Sequence, residues 1–185
     1  VRTYAAATEA ALAAGFTGLR VAADATPLVR TPAQLDAFAR YEHLVDRYLA
    51  THPMEAMCAY DRTRLGDDVV AQIACLHPRS AEDAAPFHLH AHAPAGTSAV
   101  LDGELDLESH DLWPLALERA DLPAGEDGIV IDATGLAFID HRNLLALADH
   151  ADRRGTTVVL RTPLSFPSHV LDVLGVTNVR VEHQS

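Results

Sequence analysis

The sequence predicts an α/β protein, with a mixed sheet and packed helices in residues 87–185 preceded by a partial parallel βαβ module in residues 1–78. Three observations lead there. Strand-length apolar runs alternate with helix-period segments along the whole chain. The second half opens with two strands joined by a short turn, as an antiparallel hairpin does, and then alternates strand with helix, as parallel neighbours do. Between the halves lies RSAEDAAP (79–86), a polar stretch ending in proline that reads as a linker.

In the first half, residues 2–14 (RTYAAATEAALAA) are Ala-rich and stop at Gly15, which suits a helix and its end. The chain thus opens inside a helical pattern, and we expect a piece of something longer. GLRVAAD (18–24) reads as a buried strand. Thr31-Pro32 opens the next helix, with Thr31 as N-cap, Pro32 at the first helical position and Gln34 completing a capping box. Its apolar stripe runs Leu35, Phe38, Tyr41, Leu44, Val45, Tyr48, Leu49, and Pro53 stops it. MEAMCAYD (54–61) is the second strand, and a short helix covers about 67–76. The connection is a right-handed crossover. Two parallel apolar strands expect cover on both faces and further strands beside them. We therefore expect outside material to complete this sheet: an upstream segment, the neighbouring domain or a second copy of the chain, with a homodimer favoured.

In the second half, strands are expected at 87–92, 98–106, 128–133, 156–161 and 178–182, with a turn at Pro94–Gly96. Helices are expected at 109–120, 141–154 and 165–174, the last two closed by Gly155 and Gly175.

Charge narrows the function. The net charge is −12, and the acidic excess lies mostly in residues 86–185, where 15 acids meet 6 Arg. An acidic surface repels phosphate backbones and anionic lipid, so neither nucleic acid nor a membrane surface is an expected partner. All basic side chains besides histidine are Arg; the absent lysine excludes a Walker A lysine, a kinase-type phosphate lysine and a Schiff base. Cys58 and Cys75 form no CxxC and read as buried free thiols of a reducing cytoplasm. No apolar run approaches the roughly 18 residues that a bilayer demands.

Few chemical motifs emerge. His88, His90 and His92 share one strand face, but side chains in a line do not converge on a metal, so that face is expected to be solvated and no metal or cofactor is expected. Pairs such as Glu104/Asp106 and Asp67/Asp68 read as surface solvation. No hydrolase, zincin or dinucleotide motif occurs, and the chain is not expected to be an enzyme. One segment stands out: IVIDATGLAFIDHRNLLALA (129–148). A buried strand runs into Asp132 and a Gly turn, then a short apolar stretch, and Asp140 falls at a helix N-cap. His141, Arg142 and Asn143 are then displayed in the first turn, where free N–H groups and the dipole favour an acidic partner group.

DATGL (132–136) followed by FIDHRNLLAL (138–147) resembles the STAS family of anti-sigma-factor antagonists, as do LDGELDLES (101–109) and RRGTTVVLRTPLSFPSHVLDVLGVTN (153–178). The resemblance covers roughly 86–183. It implies binding of an anti-sigma factor or related regulatory protein through Thr134, Asp140, His141, Arg142 and Asn143. The family's phosphoacceptor Ser position is occupied by His141, so Ser/Thr kinase control is not expected there. GFTGLRVAADATPLV (15–29), FARYEHLVDRYL (38–49) and MCAYDRTRLGDDVVAQIACLHP (57–78) resemble the C-terminal half of the MEDS sensory domain, which implies a small-molecule sensor of hydrocarbon derivatives. The division is thus 1–78 MEDS-like, 79–86 linker, 87–185 STAS-like. Two functions follow, a partner-binding regulator and a small-molecule sensor.

Overall fold

A computed structural model describes every residue except His92, Pro94, Ala95 and Ser185. The third histidine of the 88–92 face and most of the turn expected at Pro94–Gly96 therefore lie outside the described residues. The first half runs α1 (Arg2–Ala13), β1 (Leu19–Asp24), α2 (Pro32–Leu49), β2 (Met54–Ala59), α3 (Arg62–Leu65) and α4 (Asp67–Ala74). The second runs β3 (Phe87–His90), β4 (Ala99–Leu105), α5 (Leu112–Ala120), β5 (Ile129–Asp132), β6 (Leu136–Ile139), α6 (His141–Arg154), β7 (Val158–Thr162), α7 (Phe166–Leu174) and β8 (Val179–His183).

The α/β class and the opening hairpin are as expected. β3 and β4 pair antiparallel, while β4–β5, β5–β7 and β7–β8 pair parallel in the order β3-β4-β5-β7-β8. The apolar stretch after Asp132 is itself a strand, because β6 continues along β4 where β5 leaves it. The hand-over happens at Gly103, a bulge with φ +95°. A side chain there would lie 2.5 Å from the Pro86 carbonyl oxygen, so only glycine fits. Ile129, Ile131, Val158 and Leu160 on one face are fully enclosed, and Val130 and Val159 on the other are buried too, so these strands are covered on both faces. Trp113 of α5 packs edge-on against Phe87, with ring centroids 5.5 Å apart.

Several helix ends follow their sequence signals. In α2 the Gln34 N–H donates to Thr31 Oγ1 at 3.3 Å, and the Thr31 N–H donates back to Gln34 Oε1 at 3.2 Å. Asp140 caps α6, which spans 141–154 as expected, and Gly155 and Gly175 adopt the left-handed conformation after α6 and α7.

Three expectations need correction. β1 and β2 form a two-stranded parallel sheet, but they are not buried: along β1 only Leu19 and Val21 are half-covered, and Met57 of β2 is 66% exposed. The reason is that little packs on their faces, and among the described residues each strand has only the other as a ladder neighbour. The buried face of α2 is also rotated from the expected stripe. Leu44 is exposed, while Ala39, His43 and Asp46 are enclosed because α2 packs on α5 of the second half. Finally, the histidine face of β3 is not solvated. His88 donates from Nδ1 to the Ala74 carbonyl at 3.1 Å and His90 is 6% exposed, because this face meets the first half.

The two halves share material. Ala39, Cys75 and Leu76 belong to the same apolar core as Phe87, Trp113 and Ile131. Arg119 of α5 is buried and donates through Nε to Asp36 at 3.0 Å and through Nη1 to Gln72 at 3.0 Å, which ties α5 to α2 and α4.

Candidate functional site

Two places carry chemistry. The first is the strand–turn–helix segment singled out from the sequence. Asp132 turns the chain by accepting hydrogen bonds from both the N–H and the hydroxyl of Thr134, so that hydroxyl is engaged locally. Asp140 accepts from the Asn143 N–H at 2.8 Å through Oδ1 and from His110 Nε2 at 2.6 Å through Oδ2. Burial alone would raise the Asp140 pKa, but these hydrogen bonds outweigh it and hold the carboxyl below its usual range. The anion site at this helix N-terminus is thus filled by the helix's own cap.

Of the five residues expected to meet a partner, Thr134, His141 and Arg142 are exposed and Asp140 is half-buried. Asn143 departs from expectation. It is 1% exposed, donates from Nδ2 to the Asp106 carbonyl at 2.9 Å and offers its own carbonyl to Trp113 Nε1 at 3.1 Å. Its place on the inner face of the first turn makes it a structural tie, not a displayed contact. Sequence reasoning also missed the apolar rim. Leu107 is 73% exposed and Phe138 45%, and both lie at the segments that bracket His141 and Arg142. The irregular register of β6 accounts for Phe138. Its pairing with β4 steps from Gly103–Leu136 to Glu104–Phe138, so the strand does not alternate, and Ala137 and Phe138 are both exposed between buried Leu136 and Ile139.

The second place was not foreseen. Glu42 from α2, Cys58 from β2 and His77 from the turn after α4 each offer one ligand atom, and the three atoms lie within 4.8 Å of one another. Glu42 Oε2 accepts from His77 Nε2 at 2.9 Å and from the Cys58 thiol at 3.5 Å. His77 Nδ1 is 3.0 Å from the Ile73 carbonyl, which can only accept, so Nδ1 carries a proton and Nε2 is the atom turned to the cluster. Burial lowers the His77 pKa, but hydrogen bonds to Cys58 and Glu42 and the Glu42 charge overcome it and push the value up to about 10. The Tyr60 hydroxyl is buried without a hydrogen-bond partner, and burial with the nearby Cys58 and Glu42 raises its pKa strongly. Cys58 was expected to be a buried free thiol, and it is free. It is half-buried, however, at the carboxyl end of β2, the end of a parallel strand where ligands gather. That position was the available signal, since 16 and 19 residues separate Cys58 from its partners.

The same elements touch the second half. One turn beyond Glu42, Asp46 accepts from the Ala91 N–H. Just before His77, the Cys75 carbonyl accepts from the Leu89 N–H at 2.6 Å and the Ala74 carbonyl accepts from His88. The cluster thus draws on three elements, and two of them also hydrogen-bond at β3. Residues 1–78 match the family model of MEDS, the methanogen/methylotroph, DcmR sensory domain. The match covers less than half of the chain and stops short of the second half. No curated protein matches the chain.

No helix is long and apolar enough to cross a membrane among the described residues.

Proposed function

We propose that the chain is a non-catalytic signalling protein of the cytoplasm whose first half senses a small molecule and whose second half passes the signal to a partner protein. The observation that carries this reading is the double duty of α2 and of the turn after α4. Each supplies one residue to the Glu42–Cys58–His77 cluster and also bonds at β3. The end of α4 accepts from His88 and Leu89 through the Ala74 and Cys75 carbonyls, and α2 accepts through Asp46 from the N–H of Ala91, just past the strand. A ligand that shifts either element alters the edge of the larger sheet. The sensory family match over residues 1–78 supports the input side.

On the output side, the STAS-like motif and the exposed group Leu107, Phe138, His141 and Arg142 support binding of an anti-sigma factor or a related regulator. With His141 in place of the family's Ser, control by a Ser/Thr kinase has no hydroxyl to act on at this position. Affinity capture with the wild-type chain and with Arg142→Glu tests the surface. A partner held by wild type and by Val173→Ser, an exposed site on α7, should be lost with Arg142→Glu. Equal capture by all three proteins would refute this surface.

A further inference from the structure

We infer that Glu42, Cys58 and His77 bind one divalent metal ion of the zinc class and leave a coordination position open beside Tyr60. This goes beyond the sensory reading and does not depend on it, since metal binding is read out whether or not the chain senses a small molecule.

Geometry is the first ground. Around a tetrahedral zinc ion with bonds of about 2.0–2.3 Å, neighbouring ligand atoms stand roughly 3.3–3.8 Å apart. Glu42 Oε2 lies 2.9 Å from His77 Nε2 and 3.5 Å from Cys58 Sγ, and all three atoms fall within 4.8 Å of one another. Small side-chain rotations bring such a set onto one ion. The donors come from α2, β2 and the turn after α4, so ordered elements hold them in place.

Donor chemistry is the second ground. One thiolate, one imidazole and one carboxylate suit Zn²⁺ or Co²⁺, whereas Mg²⁺ and Ca²⁺ demand oxygen ligands. The imidazole is already oriented as a ligand. Its Nδ1–H donates to the Ile73 carbonyl, an arrangement that fixes the ring and leaves Nε2 for the metal. Charge also closes: a dication with one carboxylate and one thiolate is neutral, which a half-buried site tolerates.

The third ground is the orphan hydroxyl. Tyr60 is buried at Oη with no partner, yet it feels both Cys58 and Glu42. Water or another small lone-pair donor on the metal's fourth position would give that hydroxyl its missing hydrogen bond. Three protein ligands with one open position is the arrangement of a zinc site that exchanges ligands, not of a closed structural one.

Without metal the cluster is an imidazolium–carboxylate pair beside a thiol. Binding therefore replaces one proton on His77 Nε2 and one on Cys58 Sγ with one dication, and two protons leave to solvent.

The test uses the full 185-residue chain, stripped with a chelator and titrated with Co²⁺. We expect one equivalent to bind, with the visible bands of a tetrahedral ion and a near-ultraviolet thiolate-to-cobalt charge-transfer band, both removed by added Zn²⁺. Cys58→Ser should abolish the charge-transfer band while Cys75→Ala keeps it, and His77→Gln should weaken binding more than about tenfold. X-ray absorption on the zinc-loaded wild type needs no variant and guards against a misfolded substitution. It should show one sulfur at about 2.3 Å and nitrogen or oxygen at about 2.0 Å. Failure to retain metal, a charge-transfer band that survives Cys58→Ser, or a sulfur-free shell such as the β3 histidines would give would each overturn the assignment.

Discussion

The protein contains two parallel β arrangements with different fates. In β5 and β7, Ile129, Ile131, Val158 and Leu160 are sealed in the core on one face, and Val130 and Val159 are buried on the other. In β1 and β2, the ladder is equally regular over six residue pairs, yet most of its side chains face solvent. Ladder formation is local, whereas burial depends on what covers the faces. The better-covered sheet is a rigid platform. The thin one, with few enclosed side chains, belongs to the low-stability end from which ligand-responsive elements are drawn, and the Glu42–Cys58–His77 cluster sits there.

The largest difference between the regions should be one of assembly. Among the described residues β1 and β2 each present an unpaired edge, and pairing with a second copy would satisfy both copies at once. Light scattering should then give twice the 19.9 kDa chain mass. A mass of one chain at every concentration, with β1 flanked only by β2, would remove the dimer from the account.

Next comes the cost of cavities. Ile131→Ala in the closed sheet should lower stability by about 3–4 kcal/mol in urea unfolding, while Val21→Ala in the thin sheet should cost less than about 1 kcal/mol. Equal losses would mean that the thin sheet is covered in solution.

Acid sharpens the contrast at the junction of the halves. His43 of α2 is 2% exposed, both ring nitrogens lack partners, and burial, then Arg47 and His90, lowers its pKa from 6.5 to about 4. Between those values the unfolded chain binds the proton and the folded one does not, so stability falls as pH drops from 6.5 towards 4. The full loss is on the order of 3 kcal/mol. His43→Leu should flatten this slope in urea titrations at stepped pH. His77 has the opposite sign, because its raised value stabilises below 6.5 and that contribution fades as pH climbs through about 10.

A smaller effect is expected at the Arg119 tie. Asp36→Ala strips a buried guanidinium of its acceptor, but Gln72 remains and the Asp36 side chain was 51% exposed. A loss of about 2 kcal/mol should result. No change would show that the Asp36–Arg119 pair contributes nothing to holding the halves together.

These contrasts also mark what the sequence can reveal. Thr31 with Gln34, Asp140, Gly155 and Gly175 act through neighbours within five residues, so their signals are local and the helices they bound could be placed. The face of α2 could not, because His43 and Asp46 are buried by α5 and β3, far along the chain. The same is true of the cluster. Cys58 reaches Glu42 and His77 only after β2 has paired with β1 and α2 and α4 have packed around them. Of the expected partner surface, His141 and Arg142 were legible from the cap, whereas the enclosure of Asn143 depended on Asp106 and Trp113.

The central claim is that the cluster and β3 respond together. Hydrogen exchange on the chain with and without Zn²⁺ tests it most directly, read at the Leu89 amide that donates to the Cys75 carbonyl. The account predicts slower exchange along β3 as well as around His77 on adding zinc, and no change in His77→Gln. Protection confined to residues 1–78, with β3 exchanging as before, would contradict it.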